Sequence, residues 1–446
     1  MSARIVTAEL GRDTDAQAGR IANLRTRLFT SILIGLAACC AYMCMYAFRK
    51  PFAAATFSGQ HFFGMDYKAW LVIAQLVGYM LSKFIGIRMI SSLRHQGRAA
   101  FLLRLIGGAA LALLAFALIP PPWNIVFLFF NGLALGLVWG VLFSYLEGRR
   151  TTEMMGAIMA SSMIFSSGIV KTCGRWFLAH GISEFWMPLA TGLVFVPLLL
   201  ACLYLLERAP EPDGEDRALR GVRVPMSAAD RRRFALRFLP GLLLMVGCYV
   251  ALTIVRDFRD SFEIELFTEL GYGNRIGLFA QIETPIAFAI LLLSASLALV
   301  QDNLRALTTV LGMMIFGVAL AGLATLAYRA GVLSPLWWLG FIGFGLYLAY
   351  VPYTCAFEER LVATFKGSGN IGFVMYVSDA FGYLGSIAVI ALRESGWLQV
   401  SWAQFLGYCV LGLALYGTAA ATASMLYFRN RARREETAHT AIPGSS

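Results

Sequence analysis

Six basic residues interrupt apolar stretches of this 446-residue sequence, at positions where a positive charge is costly. They are Arg49, Lys50, Lys83, Lys171, Arg175 and Arg256. A charged side chain at the centre of a bilayer costs about 2.5–3.5 kcal/mol on insertion scales, so it needs a polar cavity, a partner charge or an anionic ligand. Arg49 has no acidic residue within sixteen positions on either side. This pattern predicts a membrane transporter with a positively charged central cavity, in which Arg49 contacts an anion.

Arg49 and Arg256 are the strongest candidates for binding that anion. Each guanidinium stays charged at physiological pH and presents a planar fork of N–H groups, which suits the paired oxygen atoms of a phosphate. Arg256 is followed directly by Asp257, so an ion pair that only holds helices together is the alternative for Arg256. We expect the two arginines to face each other across the cavity.

Further basic and aromatic residues are predicted to belong to the same binding site. They are Lys50, Lys83, Lys171, Tyr46 and Tyr79. Lys83 could instead extend its ammonium toward the membrane interface. Lys171 lies one helical turn before Arg175, and Asp66 or Glu184 could neutralise that pair of bases. Each tyrosine could equally belong to an interfacial aromatic belt.

Three acidic residues also interrupt apolar segments, namely Asp257, Glu283 and Asp379. One interpretation is ion pairing with the buried bases, which would leave the cavity with a smaller positive charge. The other is proton coupling, in which a desolvated carboxyl group gains and loses a proton near neutral pH. The sequence favours pairing for Asp257 and leaves both interpretations open for Glu283 and Asp379.

Four charged residues at the ends of predicted spans could form a gate. They are Glu147, Arg149, Glu358 and Arg360. These side chains could form ion pairs between helices and exchange partners as two halves of a transporter move. Ordinary solvated loop charges explain the four residues equally well.

The elements that position these residues are predicted to be membrane-spanning helices. Hydrophobic residues make up 59% of the sequence and charged residues 14%, far from the balance of a soluble protein. Apolar stretches of about 20 residues, each long enough to cross a bilayer, recur twelve times. The predicted spans are 28–57, 66–90, 99–119, 123–146, 154–179, 186–206, 237–257, 275–299, 304–328, 335–357, 369–392 and 402–428. The predicted fold class is therefore an all-α polytopic membrane protein with twelve transmembrane helices.

The polar segments between the spans predict the topology. A polar linker, 207–236, separates two six-helix halves, 28–206 and 237–428, and the tails are 1–27 and 429–446. With twelve spans both tails lie on one side, and that side carries 26 of the 37 lysines and arginines. By the positive-inside rule, the tails and the linker are predicted to be cytoplasmic, in an inner membrane. The same asymmetry accounts for the net charge of +11 without a nucleic-acid partner.

The two halves share a weak internal repeat. Glu147, Gly156 and Ser167 align with Glu358, Gly367 and Ser378 at a constant offset, and Arg49 aligns with Arg256 at a similar offset. Two six-helix halves related in parallel are typical of the major facilitator architecture, in which the solute binds at the interface between the halves. The repeat therefore predicts that fold.

Several short motifs resemble one branch of the major facilitator superfamily, the organophosphate:phosphate antiporters that carry glycerol 3-phosphate and hexose phosphates. The motifs are Tyr46-Ala-Phe-Arg49-Lys50-Pro-Phe52, Gly78-Tyr79 with Ser82-Lys83-Phe84, and Gly367 with Phe381-Gly-Tyr-Leu-Gly385. The resemblance implies that Arg49 and Arg256 grip the phosphate and that Lys83 adds positive charge. The sequence departs from that branch at Phe165, where the resemblance would place a histidine.

These observations predict a secondary transporter that moves a small anionic, phosphorylated organic solute by alternating access, in exchange for inorganic phosphate. A proton-coupled anion symporter and a transport-inactive membrane sensor of the same solute are the alternatives. The sequence contains no Walker motif, zinc-ligand pattern or nucleophile elbow, so we expect no enzymatic activity, no cofactor and no metal. The expected partners are the solute and the lipid bilayer, and the expected state is a monomer.

Overall fold

The computed structural model consists almost entirely of helices, and it describes residues 28–91, 97–147, 149, 151–210, 228–365, 372–396 and 399–440. The first half contains α1 (Leu28–Arg49), α2 (Tyr67–Ser91), α3 (Arg98–Leu118), α4 (Ile125–Leu135), α5 (Val138–Leu146), α6 (Thr152–Ala179), α7 (Met187–Val194) and α8 (Val196–Glu207). The second half contains α9 (Ala228–Arg237), α10 (Leu239–Ser261), α11 (Glu263–Glu269), α12 (Leu278–Ser296), α13 (Asn303–Arg329), α14 (Pro335–Pro352), α15 (Glu358–Thr364), α16 (Gly372–Glu394) and α17 (Trp402–Thr440). Between α1 and α2 lies a short antiparallel hairpin of β1 (His61–Phe62) and β2 (Met65–Asp66).

The helices coincide with the predicted spans. Ten helical segments of the described chain are long and apolar enough to cross a membrane, with α4 and α5 counted as one span and α14 and α15 as another. Helices α7 and α8 meet at a bend of 41° and form an eleventh span if they are taken together. Helix α16 has 23 residues and corresponds to the remaining predicted span, 369–392. Each of the twelve predicted spans is therefore one helix or one broken helix.

Prolines decide where two of the spans end or change geometry. Helix α1 ends at Arg49, well before the predicted end of its span, because Pro51 has no backbone N–H with which to continue the hydrogen-bond ladder of the helix. A 3-10 turn over Pro51–Ala54 follows. In the tenth span Pro352 ends α14, and a π-helical turn over Tyr353–Phe357 leads into α15.

The two ends of the helix bundle carry different segments. We call the end that holds Glu147, Arg149, Thr151 and residues 207–210 the basic end, because the predicted linker, which is rich in arginine, begins there. We call the end that holds the hairpin and α11 the opposite end. The predicted tail 1–27 and residues 211–227 of the predicted linker lie outside the described residues. Helix α17 continues to Thr440, through most of the predicted C-terminal tail.

Helices α2 and α4 approach each other closely at two glycines. A Cβ atom on Gly78 would lie 2.0 Å from the backbone oxygen of Phe129, and a Cβ atom on Gly132 would lie 2.2 Å from that of Gln75. Only glycine permits such a distance, and small residues are used in this way where membrane helices pack backbone to backbone. The approach also brings Gln75 Nε2 to 2.9 Å from Asn131 Oδ1, beside the end of α1.

Gly132→Ala is expected to lower the thermal unfolding temperature, because the added methyl group must push α2 away from α4. Overpacking of this kind costs about 1–3 kcal/mol. Gly107→Ala on α3 is the matched control, since a Cβ atom there meets no other atom within 4 Å. Thermal unfolding of the purified protein in detergent, followed by tryptophan fluorescence, measures both variants. Equal unfolding temperatures for the two would contradict the close approach of the helices.

Candidate functional site

A cavity of about 310 Å³ lies between the two halves. Helices α1, α2, α5 and α6 contribute to its wall from the first half, and α10, α14, α15 and α16 from the second. Its basic residues are Arg49, Lys50, Lys83 and Arg256. Its acidic residues are Glu147, Asp257, Asp260, Glu358 and Asp379. The tyrosines on its wall include the predicted Tyr46 and Tyr79. Glu147 is exposed, so the cavity extends to the basic end.

The expectation of a positively charged cavity is wrong for the part of the chain that the structure describes, because four bases and five acids line the cavity there. The structure adds Glu147, Asp260 and Glu358 to the two cavity acids that the sequence singled out. Asp260 was missed because the predicted span ended at residue 257, whereas α10 continues to Ser261 and brings Asp260 into the wall of the cavity. The chemistry of the site therefore depends on which of its bases have acidic partners.

Arg49 is a cavity base without an acidic partner among the described residues. It is 6% exposed, and its Nε atom is buried without a hydrogen-bond acceptor. Its Cζ atom lies 3.8 Å from the ring centroid of Tyr79 and 5.9 Å from that of Tyr46. An aromatic ring attracts a guanidinium over its face. This arrangement leaves the N–H groups on the guanidinium edge available to a ligand.

Two amide side chains hold the end of α1 that carries Arg49. Asn131 Nδ2 donates to the backbone oxygen of Phe48 at 3.1 Å, and Gln75 Nε2 donates to that of Arg49 at 3.0 Å. Carbonyl groups at the end of a helix lack partners within the helix, and these bonds satisfy two of them. The close packing of α2 against α4 therefore determines where Arg49 enters the cavity.

The other three bases of the cavity form ion pairs. The pairs are Arg256 with Asp257 at 2.8 Å, Lys83 with Asp379 at 3.3 Å, and Lys50 with Asp260. Arg256 also lies over the ring of Tyr350, with 4.1 Å between Cζ and the ring centroid. The contact between Arg256 and Asp257 corresponds to the alternative that the sequence offered for Arg256.

A chain of polar groups joins the ion pair of Lys83 to the surroundings of Arg256. Tyr249 donates its hydroxyl to Asp379 Oδ1 at 2.6 Å, and the hydroxyl oxygens of Tyr249 and Tyr350 lie 2.8 Å apart. Tyr350 is the ring beneath Arg256. Since Lys83 belongs to the first half and the other members to the second, this chain crosses the interface between the halves.

Six charged residues form a buried group at the opposite end, which we call the ion network. They are Lys50, Lys171, Arg259, Asp260, Glu263 and Glu283. Lys171 Nζ donates to Asp260 Oδ1 at 2.6 Å and to Glu263 Oε2 at 3.0 Å. Arg259 lies 3.3 Å from carboxylate oxygens of both Glu263 and Glu283. The two lysines belong to the first half and the other four residues to the second, so the network joins the halves.

Bases already balance the acids of the ion network. Carboxylate oxygens of Asp260, Glu263 and Glu283 lie within 4.8 Å of one another, a spacing that could hold a cation. Lys171 and Arg259 supply positive charge to these oxygens, and together with Lys50 they equal the acids in number. Buried charges require such pairing. Lys171 and Glu283 are therefore members of the ion network, and neither lines the cavity. Their predicted roles in solute binding and proton coupling stay predictions.

Lys68 and Arg259 are two further bases that are buried near the opposite end. Lys68 is 2% exposed, and its ammonium donates to Glu265 Oε1 at 2.6 Å and to the backbone oxygen of Ala53 at 2.8 Å. Arg259 is also buried, within α10. The spacing of four residues between Arg259 and Glu263 is the sequence signal for a helical ion pair that could have located this segment.

The predicted gate residues lie at the basic end. Arg149 Nη2 donates to the backbone oxygen of Pro210 at 2.5 Å, and Arg360 Nη1 donates to Asn303 Oδ1 at 3.0 Å. Neither of these two contacts joins the two halves to each other, and the two acidic members of the set line the cavity. A latch between the halves would belong to a conformation in which this end has closed. The latch stays a prediction.

Comparison with known sequences identifies a family without identifying a solute. A family model described as a family of unknown function, DUF5690, matches residues 51–431 of the chain. No curated protein matches the sequence. The family description carries no activity, so the transported solute has to be argued from the cavity.

Solved structures with the same fold are transporters. A bacterial homologue of the human drug peptide transporters PepT1 and PepT2 has a TM-score of 0.60 at 14% identity, over 90% of this chain and 99% of the other. A D-xylose–proton symporter has a TM-score of 0.58 at 15% identity, over 87% and 97%. The nucleoside transporter NupG has a TM-score of 0.55 at 14% identity, over 90% and 99%.

These likenesses confirm the predicted fold class. The chain has the major facilitator fold, with twelve helices in two six-helix halves, and it is a multi-pass membrane protein. The organophosphate:phosphate branch that the short motifs indicated stays a prediction, since none of these three structures is described by such a solute.

Proposed function

Because the chain belongs to the DUF5690 family, whose function is unknown, its solute must be inferred from the cavity, and we propose that the protein is a secondary transporter of a small organic anion. The observation that carries the proposal is Arg49, a cavity guanidinium that has no acidic partner among the described residues and two neighbouring tyrosine rings. A bound anion would supply the missing negative charge. The fold supports alternating access, in which the two halves move around a site at their interface.

A phosphate ester is the class of anion that we propose first. A phosphoryl group offers the paired oxygens that a guanidinium binds with two parallel hydrogen bonds. The other bases of the cavity are already paired, so one acidic group on the solute is enough to balance Arg49. Lys83 and Arg256 could join that group when Asp379 or Asp257 releases them. Exchange for inorganic phosphate would follow, since phosphate can occupy the same site.

The cavity is open at one end of the helix bundle and closed at the other, which supports an assignment of the conformation. The cavity extends to the basic end at Glu147, whereas the ion network joins the halves at the opposite end. The excess of lysine and arginine at the basic end favours a cytoplasmic location for this end and for both termini. With that topology, in a bacterial-type inner membrane, the structure is the conformation that is open to the cytoplasm.

The test is counterflow in proteoliposomes at equal pH on both sides. Vesicles loaded with unlabelled inorganic phosphate receive a trace of labelled phosphate outside, and a panel of phosphate esters and carboxylates competes for entry. We expect transient accumulation of label that Arg49→Ala abolishes, with the preferred ester as the strongest competitor. Competition by carboxylates alone would replace the phosphate class but keep the anion site. Saturable binding without flux would contradict transport and support a sensor.

Tyr79→Leu is expected to weaken apparent affinity for the anion about threefold to thirtyfold, because the ring of Tyr79 holds the guanidinium of Arg49 in place. A cation–π contact of this kind contributes about 0.5–2 kcal/mol. Tyr79→Phe keeps the ring and is the matched control, with an expected change of less than about threefold. The concentration that half-saturates counterflow measures both. Equal losses for the two variants would assign the effect to the hydroxyl group.

A further inference from the structure

Glu358 is a cavity acid without a basic partner among the described residues. It follows the π-helical turn Tyr353–Phe357 and begins α15. It lines the same cavity as Arg49, and its Oε1 atom is buried without a hydrogen-bond partner. Among the described residues no lysine, arginine or histidine forms an ion pair with it. The mechanism proposed above gives this side chain no role.

The groups around Glu358 make a negative charge there still less favourable. Its carboxylate accepts a hydrogen bond from the backbone N–H of Met375. The charged residues that act on it, Asp379 on the neighbouring α16 and Glu359, its own neighbour in sequence, are both acidic. Tyr353, on the π-helical turn, is the titratable group beside them. Lys83 lines the same cavity, but its ammonium pairs with Asp379. A buried carboxylate with no pairing costs several kcal/mol, whereas a protonated carboxyl group does not carry that cost.

We propose that Glu358 is the proton-binding site that couples a proton to the anion, an inference that rests on the proposed anion transport. One proton adds to the Glu358 carboxylate from the side on which the cavity is open, and the same proton leaves the carboxyl group on the other side. No other bond changes. Glu358, rather than the sequence candidates Glu283 and Asp379, takes this role because each of those acids has a basic partner.

The coupling follows from the net charge of the cavity when it is closed to both sides of the membrane. When the cavity is empty, the positive Arg49 and the negative Glu358 balance each other in net charge. When the singly charged form of the phosphate or phosphate ester occupies Arg49 and a proton occupies Glu358, the two sites are again neutral in sum. A carrier with only one of the two ligands holds an unbalanced charge in a low-dielectric interior, which opposes closure. The proton and the anion are therefore expected to cross together.

The π-helical turn supplies a place where Glu358 could change its exposure. Single π turns inside helices are rare and occur frequently at functional sites. Here the turn lies between Pro352 and Glu358 and interrupts the regular α-helical hydrogen-bond ladder, so we take it as the place where α15 would move relative to α14. That local movement would present the carboxyl group to the cavity in one state and bury it in another.

The experiment compares two assays in proteoliposomes containing the full chain. The first is counterflow of labelled phosphate at equal pH, and the second is uptake of the same label driven by an acidic exterior. Glu358→Gln, which mimics the protonated side chain, is expected to keep counterflow and to lose at least tenfold of the pH-driven uptake. Asp302→Asn is the matched control, since Asp302 is exposed, does not line the cavity and caps α13, where asparagine can cap in the same way. It should keep both activities.

The outcomes separate this inference from the proposed function. Absence of counterflow by the wild-type protein would contradict anion transport itself. Wild-type counterflow without any response to the pH gradient would overturn proton coupling alone. Two results would overturn the assignment to Glu358. One is uptake driven by the pH gradient that persists in Glu358→Gln, and the other is loss of both activities in a Glu358→Gln protein that elutes as a folded, monodisperse species. If the variant does not fold, anion-induced proton entry in wild-type vesicles, read with an internal pH dye, still decides whether coupling exists.

Discussion

Arg49→Lys is expected to lower the affinity for the transported anion about tenfold to a hundredfold, although the side chain keeps its positive charge. An ammonium is a point charge and cannot offer the planar fork that binds two oxygen atoms of one group. One hydrogen bond to a charged group is worth about 1.5–3 kcal/mol, and about 1.4 kcal/mol is a factor of ten in affinity. The half-saturating concentration in counterflow measures the change, and Arg49→Ala should show no saturable transport.

The control for this prediction is Arg237→Lys, because Arg237 pairs with Glu435 at the basic end and does not line the cavity. The unfolding temperature of Arg49→Ala provides a second readout. Since Arg49 has no acidic partner among the described residues, its removal leaves no buried carboxylate behind, and we expect the folded protein to survive. An Arg49→Ala protein with wild-type affinity would contradict the anion site.

Asp260→Asn is expected to open the opposite end of the bundle. Asp260 accepts the charges of Lys50 and Lys171 from the other half, so the variant leaves Glu263 as the remaining acid beside Lys171. Removing one partner of a buried ion pair costs about 3–5 kcal/mol. That cost falls on the conformation in which the network is assembled, and about 5.5 kcal/mol would move a two-state equilibrium from 99:1 to 1:99. The conformation in which the opposite end is closed should therefore lose most of its population.

Spin labels measure this opening directly. His180→Cys and Asn274→Cys place one label on each half at exposed positions of the opposite end, in a background from which the native cysteines have been replaced. The distance distribution between the labels should shift to longer values in Asp260→Asn. Asp302→Asn is the matched control, because Asp302 caps α13 and asparagine can cap in the same way. An unchanged distribution in Asp260→Asn would show that other contacts keep this end closed.

The fold was predictable because the signals for it are local. A stretch of about 20 apolar residues satisfies its own backbone hydrogen bonds as a helix and can cross a bilayer wherever the rest of the chain goes. The predicted ends were less accurate where local chemistry overrides hydropathy. Pro51 follows the end of α1, and the charged turn that contains Arg259 and Asp260 extends α10 beyond its apolar run.

Arg49 could be singled out from sequence for a related reason. Its isolation from every acidic residue nearby in the chain was visible without a structure. Arg256 with Asp257 was equally visible, because neighbours in sequence can pair within one helix. By contrast, Glu358 was predicted only as a gate residue, since nothing in the chain around it shows that its carboxyl group faces the cavity without a partner.

The sequence by itself determined the twelve-helix architecture and the unusual isolation of Arg49. Only the tertiary structure decided which of the other buried charges are paired. Lys171 and Asp260 are 89 positions apart in the chain, and Lys83 meets Asp379 across the interface between the halves. An ion pair depends on a separation of a few ångströms between side chains on different helices. That separation is set by how the helices pack and rotate against one another, whereas hydropathy is a sum along one helix.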